Sequence, residues 1–219
     1  VPRAPDARRR GHVHRTRRDR LARRLTALAH KLAEVLLDPA DAAALDVHGR
    51  IDAAVLVPLY VQDGRLHAVF TKRGEDLRRH PGEISFPGGR QDDDESDLRL
   101  TALREAEEEI GLPREAVQLV GALQPTPTIA TNYAVYPFVG LIDPGRQWTL
   151  SAREVAAVLE LSLHDLRAGY QRKRLLRRGV PFRTDVYIVG DHLIWGATAR
   201  MLSDLLERIH PLLDDEGAG

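Results

Sequence analysis

The sequence predicts an α/β fold, and three observations carry that expectation. The run Ala53-Ala54-Val55-Leu56-Val57-Pro58-Leu59-Tyr60-Val61 is almost wholly apolar and reads as a buried strand. Asp63-Gly64 then gives a hairpin turn, and Leu66-His67-Ala68-Val69-Phe70-Thr71-Lys72-Arg73 gives the partner strand. Two later stretches change to helical spacing: one follows Gly88-Gly89, and the other, Thr198 to Ile209, carries Met201, Leu202, Leu205, Leu206 and Ile209 as an apolar stripe. Val117 to Leu123, Tyr133 to Ile142 and Val155 to Ser162 read as further strands, with Pro125-Thr126-Pro127-Thr128 as a connecting loop. Alternating strands and helices allow a sheet covered by helices but do not single out one topology.

The central stretch runs from Gly88-Gly89-Arg90-Gln91-Asp92-Asp93-Asp94-Glu95-Ser96 into Leu103-Arg104-Glu105-Ala106-Glu107-Glu108-Glu109-Ile110-Gly111-Leu112. It reads as a loop, a helix and a stop. Paired glycines suit a tight turn that gives a ligand or metal close access to the main chain. Ser96 or Asp97 caps the helix, and Gly111 ends it in the left-handed conformation. With Glu105 at zero and about 100° per residue, Glu108 falls at about 300° and Glu109 at about 40°, so the three share a face. Leu100, Leu103 and Ile110 fall at about 220°, 160° and 140° and form the expected core stripe; Glu107, at about 200°, lies apart from the trio. Three like charges on one face repel unless a cation sits among them. A hard divalent ion such as Mg²⁺ fits, because it takes a few carboxylates and leaves positions for water and phosphates. A solvated acidic helix face is the alternative.

The chain has 219 residues, enough for one domain with a sizeable core. Its zero formal charge hides an asymmetry, since residues 1–24 hold ten arginines and two aspartates. Arg8-Arg9-Arg10 and Arg15, Arg17 and Arg18 suit an anionic surface or nucleic acid, but no aromatic residue is interleaved for base stacking. A solvated arm is the expectation. Leu21, Leu25, Leu28, Leu32 and Leu36 then recur at helical spacing and predict an amphipathic helix that packs on the domain or on a second subunit, as in a homodimer. The organisation expected is an arm and helix over 1–50, a catalytic domain over 51–212 and an acidic tail over 213–219. The absence of cysteine excludes disulfides, thiol catalysis and cysteine-ligated zinc, and fits a cytoplasmic protein. No apolar run approaches the roughly 20 residues of a membrane span.

Arg104, Glu105, Ala106, Glu108, Glu109, Gly111 and Leu112 resemble the second half of the Nudix box, Arg-Glu-(apolar)-x-Glu-Glu-x-Gly-(apolar). Counting from Gly89, Glu95 is also in register, but eight residues rather than seven separate it from Arg104. The preceding loop, Leu77-Arg78-Arg79-His80-Pro81-Gly82-Glu83-Ile84-Ser85-Phe86-Pro87, resembles the coenzyme A pyrophosphatase branch of this family. In that branch an Arg follows the second strand, Leu-Arg-x-His-x-Gly leads into Phe-Pro-Gly-Gly, and the same one-residue expansion occurs. Tyr136-Pro137-Phe138-Val139-Gly140 and Ile194-Trp195-Gly196-Ala197-Thr198-Ala199 also resemble it, with packing as their main use.

The resemblance implies the Nudix fold, a mixed β-sheet sandwiched between α-helices. It implies hydrolysis of a nucleoside diphosphate derivative with Mg²⁺ or Mn²⁺, and of coenzyme A in particular, giving 3′,5′-ADP and 4′-phosphopantetheine. Glu105, Glu108 and Glu109 are the implied metal ligands, with the Gly89 carbonyl as a further one. Arg104 is expected to hold the acidic cluster, since its planar fork bridges carboxylates. The general base is one of the helix glutamates or a loop residue outside the box, for which Glu154 is the candidate; Glu154 is otherwise a surface residue at a strand start. Arg73, Arg78, Arg79 and His80 are the candidates for the coenzyme A 3′-phosphate, with stabilisation of the loop by a hydrogen bond as the alternative role of His80; Arg172-Lys173-Arg174 with Arg177-Arg178 is a second basic cluster that reads either as a solvated face or as a further contact to that phosphate. The alternatives are another diphosphate such as ADP-ribose or NADH, or an inactive scaffold that binds nucleotide or RNA.

Overall fold

The computed structural model describes residues 23–74, 82–128, 132–177 and 180–215. Helix α1 (residues 23–35) and the short α2 (Pro39–Ala43), capped by the Asp38 side chain, precede the sheet. Strand β1 (Ile51–Gln62) lies at its centre. Its alternate residues feed two cores, Ala54, Leu56 and Tyr60 on one face and Val55, Val57 and Leu59 on the other. A strand covered on both faces reads as a continuous apolar run, which is what the sequence shows here. Asp63 and Gly64, with φ of 50° and 77°, make the two-residue turn into β2 (Arg65–Arg73), pairing Gln62 with Arg65. Positive φ at both turn positions matches the twist of the flanking strands.

Strands β3 (Ile84–Ser85) and β4 (Gly88–Arg90) pair antiparallel with β2 and β1. Helix α3 (Leu98–Ile110) and a 3₁₀ turn (Arg114–Ala116) lead to β5 (Gln118–Ala122), β6 (Thr126–Pro127) and β7 (Tyr133–Leu141). Strand β8 (Val155–Ser162) pairs with β2, and α4 (Leu163–Ala168) follows it. The main sheet has the order β3-β2-β1-β7-β5, with β4, β6 and β8 attached to it. Its β1–β7 pair is parallel and its other pairs are antiparallel, so the sheet is mixed. The last helix, α5, spans Gly196–Asp215.

Helices cover both faces. One core joins Leu32 of α1 and Leu36 just after it, Leu163 and Leu166 of α4, and Leu202, Leu205 and Ile209 of α5. The other joins Ala102, Ala106 and Ile110 of α3 to Ala42 of α2. This is the expected mixed sheet between helices. The described part of α1 packs on its own domain, with Leu32 fully buried and the Val35 carbonyl accepting from Arg208 Nη1 of α5 at 3.4 Å. Leu213 is buried as well, because the apolar stripe of α5 continues past Ile209 at helical spacing. Among the described residues no helix is long and apolar enough to cross a membrane.

One expectation needs correction. In α3 the buried face is Leu98, Thr101, Ala102, Ala106, Glu109 and Ile110, while Leu100 is 47% exposed and Leu103 only partly covered. Small residues win that face because alanines let the helix axis approach the sheet, which larger leucines would hold off. The stretch from Tyr170 to Ile194 forms a second antiparallel sheet of β9 (Tyr170–Arg177), β10 (Val180–Val189) and β11 (His192–Ile194), which the sequence reading did not anticipate, and Arg172, Lys173 and Arg174 are exposed on it, as a solvated basic face requires. Its side chains in β9 are largely exposed, so alternation there is weak. Arg78, Arg79, His80 and the arginine-rich arm lie outside the described residues.

Leu32→Ala is expected to lower stability by about 2–4 kcal/mol and Leu100→Ala by less than about 0.5 kcal/mol, measured by urea denaturation. A larger loss at Leu100 would restore the leucine stripe as the core face.

Candidate active site

Helix α3 starts at Asp97, whose Oδ1 accepts from the Arg99 amide at 2.9 Å. It stops at Gly111, with φ 67°, where the Leu112 N–H reaches back to the Ala106 carbonyl. Between these ends Arg104 clamps the helix to the loop before it. Its Nε donates to Glu95 Oε1 at 2.8 Å, Nη1 to Glu105 Oε1 at 2.9 Å, and Nη2 to the Arg90 carbonyl at 3.2 Å. Thr101 Oγ1 completes Glu95 by donating to its Oε2 at 2.6 Å. The Arg104 hydrogen bond holds the Glu95 carboxyl down at about 2, and the same contact raises the guanidinium pKa. The extra residue in the loop is thus absorbed without detaching Glu95 from Arg104.

The three glutamates of the helix meet different surroundings. Glu109 is 6% exposed, and burial pushes its carboxyl up to about 8 against the opposing Gly88 N–H, which donates to Oε2 at 3.3 Å. Burial also raises Glu105, despite Arg104. Gly89 lies directly against it: a Cβ there would come within 2.4 Å of the Glu105 carboxylate, so a side chain at this position would displace that carboxylate. Glu108 stands at the rim, its side chain 60% exposed, with Arg104 Nη1 at 3.4 Å. Among the described residues no three acidic side chains converge at metal-ligand spacing. The donors nevertheless fit a hard divalent cation, since they are carboxylates and a backbone carbonyl, and a buried carboxyl that retains a proton to about pH 8 lacks a compensating positive charge.

Glu154 lies in the turn before β8, exposed, and its charge acts on both Glu105 and Glu109. Its loop is docked on the end of α3, where Ser151 N–H donates to the Glu109 carbonyl at 2.9 Å. Gly88 and Gly89 also line a cavity of about 510 Å³. Arg73, Arg183, Arg200, Phe182 and Trp195 line it too. Arg73 Nε is buried without a hydrogen-bond partner, and the Arg73 charge reaches Glu109. The structure therefore brings Arg73, Gly89, Arg104, Glu105 and Glu109 together, with Glu108 and Glu154 at the edge. Sequence reasoning missed Phe182, Arg183 and Arg200, and took Trp195 as packing. The neighbouring Gly196, with φ 68° at the start of α5, was the available signal that Trp195 sits at a sharp turn.

Residues 50–179 match the family model of the NUDIX domain. The chain belongs to the Nudix family. It is 39% identical over 166 residues to the uncharacterized Nudix hydrolase NudL of Enterobacter sp. (strain 638), covering 75% of this chain and 85% of that protein. The NudL of Cronobacter sakazakii (strain ATCC BAA-894) is 40% identical over 159 residues, covering 72% and 82%. Among solved structures, the NUDIX domain of Shewanella oneidensis NrtR, cocrystallised with ADP ribose, aligns with a TM-score of 0.50 at 14% identity, covering 78% of this chain and 95% of that one, and shows the common fold. The chain is accordingly a Nudix hydrolase, and α3 with the loop before it is its Nudix box.

The burial of Glu109 in this box has a consequence for stability. The folded state keeps the Glu109 proton to about pH 8, whereas the unfolded chain releases it near 4.5. Without divalent metal, stability from this group is therefore highest below about pH 4.5, falls as pH rises and levels off above about 8. Glu109→Gln should be more stable than the wild type in EDTA by at least about 1 kcal/mol at pH 9, with the gap closing towards pH 5. Thermal denaturation at both pH values checks this, and a pH-independent gap would exclude the linkage.

Proposed function

We propose that this Nudix hydrolase is a divalent-metal-dependent pyrophosphohydrolase that cleaves coenzyme A or its derivatives to 3′,5′-ADP and 4′-phosphopantetheine or its acyl form. The observation that carries the reading is the junction at Gly88-Gly89. The buried carboxylate of Glu109 and the half-buried one of Glu105 lie against it, and it also lines a cavity to which Arg73, with a buried Nε lacking a hydrogen-bond partner among the described residues, contributes. A diphosphate bridging that junction would meet both features. The Arg73 position and the loop before the box are also where the sequence resembles the coenzyme A branch.

In this reading Glu105, Glu108, Glu109 and the Gly89 carbonyl hold Mg²⁺ or Mn²⁺. The bound cation supplies charge neutralisation on the phosphate oxygens and a more acidic water. Arg104 keeps the carboxylates in place and is too fully engaged with Glu95, Glu105 and the Arg90 carbonyl to serve substrate. Glu154, the candidate base, takes the proton from the attacking water. The water oxygen bonds to one phosphorus as the bridging oxygen leaves with the other phosphate, so two monophosphates result. Arg73, with Arg78, Arg79 and His80 of the adjoining loop, accommodates the negative charge of the substrate.

Product analysis with Mg²⁺ or Mn²⁺ and coenzyme A, ADP-ribose or NADH tests the substrate, with Glu108→Gln as the blank. Release of 3′,5′-ADP from coenzyme A is expected to be the strongest of the three and absent in the mutant; preference for another diphosphate would discard the coenzyme A reading. Glu154→Gln is expected to lower turnover by about 100-fold or more with metal affinity unchanged. Turnover near wild type would remove Glu154 as the base.

A further inference from the structure

The second sheet brings to the cavity an aromatic pair and cations that the hydrolytic centre does not use. Phe182 of β10 and Trp195, just after β11, stand 6.3 Å apart with their rings inclined at 49°. Both line the cavity and both are only half-buried, whereas Phe70, Phe86 and Phe138 are fully enclosed in the cores. Aromatic surface left open in a concave site is suited to stacking a flat ring, and stacking of nucleobases on such side chains needs no particular sequence of hydrogen bonds.

The charges beside the pair point the same way. Arg183 follows Phe182 and lines the cavity, and in the β9–β10 pairing it stands directly opposite Arg174. Like charges directly opposite one another in a sheet are destabilising. Neither arginine has an ion-pair partner among the described residues. Arg200, near the start of α5, is anchored by donating from Nη2 to the Pro127 carbonyl and lines the same cavity, and burial lowers its pKa. A bound polyanion would relieve the opposed pair and give the Arg200 guanidinium a second partner.

We propose that Phe182 and Trp195 form the nucleobase platform of the substrate site, with Arg183 and Arg200 binding a phosphate on the ribose, outside the diphosphate that is cleaved. The ligand class is a purine nucleotide with a phosphate additional to the scissile linkage, and the inference rests on the coenzyme A reading for that extra phosphate. It assigns nucleotide selectivity to the second sheet and leaves the chemistry to the Nudix helix. The site then has two separable halves.

The chain contains two tryptophans, so Trp148→Phe leaves Trp195 as the sole tryptophan, whose emission is read by selective excitation of the indole. This variant is titrated in EDTA with 3′,5′-ADP and with 5′-AMP, which differ by the extra phosphate. Saturable change of Trp195 emission is expected with both, tighter for 3′,5′-ADP. Phe182→Ala should weaken both nucleotides by about tenfold, while Arg183→Ala should weaken 3′,5′-ADP by about tenfold and 5′-AMP by less than about twofold. In turnover of coenzyme A the same variants should raise KM with kcat within about twofold. Unresponsive Trp195 emission in a protein that cleaves coenzyme A would overturn the platform and leave the substrate reading standing. Equal losses for both nucleotides in Arg183→Ala would overturn the phosphate contact. A nucleotide response with the expected mutant pattern, in a protein that leaves coenzyme A intact, would support the subsite and remove the coenzyme A reading.

Discussion

Two carboxylates pressed against the backbone of β4 are the constraint on which the surrounding structure depends. Taking a carboxylate out of water costs several kcal/mol unless charge or hydrogen bonds replace the lost hydration. Glu105 and Glu109 reach this position because α3 faces the sheet with Ala102 and Ala106, and because Gly89 has no side chain where the Glu105 carboxylate lies. The offsets are local. Arg104 serves Glu105, the Gly88 amide serves Glu109, and Glu109 retains a proton into the neutral range. A cation bound among these groups would replace the proton with a charge that the protein does not itself supply.

Two arginines near this point show how residue type alone leaves role undecided. Arg104 spreads its donors over Glu95, Glu105 and the Arg90 carbonyl, with Glu108 and Asp92 within ion-pair range. It is a structural brace with little left to offer a ligand. Arg73 acts on Glu109 only through its field, lines the cavity and has a buried Nε without a partner. Unsatisfied buried donors are costly, which sets Arg73 apart from the fully engaged Arg104.

The parts of this architecture legible in the sequence are those written in one segment. The β1–β2 hairpin shows in its apolar runs and Asp63-Gly64, and the shared face of the glutamates follows from helical spacing. The core face of α3 was misplaced because periodicity weighs Leu100 and Leu103 above alanine, whereas close approach to the sheet rewards the smaller residue. The second sheet was missed because Arg172, Lys173 and Arg174 mask strand alternation in an exposed strand. The cavity gathers Arg73, Phe182, Trp195 and Arg200 from separate elements, and no local pattern joins residues so distant in the chain.

The position of Glu154 is a similar long-range result. Its loop leaves β7 and returns to β8, so chain connectivity alone would let it swing. Thr149 and Ser151 amides tie the loop to the carbonyls of Ile110 and Glu109 at the end of α3. Farther out, Trp148 Nε1 and Tyr60 Oη both donate to the Glu160 carboxylate, fastening the loop to β1 and β8, and Tyr60 also stacks on His67 of β2. The loop is thus referenced to the same helix that carries Glu105 and Glu109 and to the same strand that pairs with Gly88-Gly89. Any displacement of α3 relative to the sheet carries Glu154 with it, so the separation between that residue and the buried carboxylates is set by packing and not by the loop's own freedom.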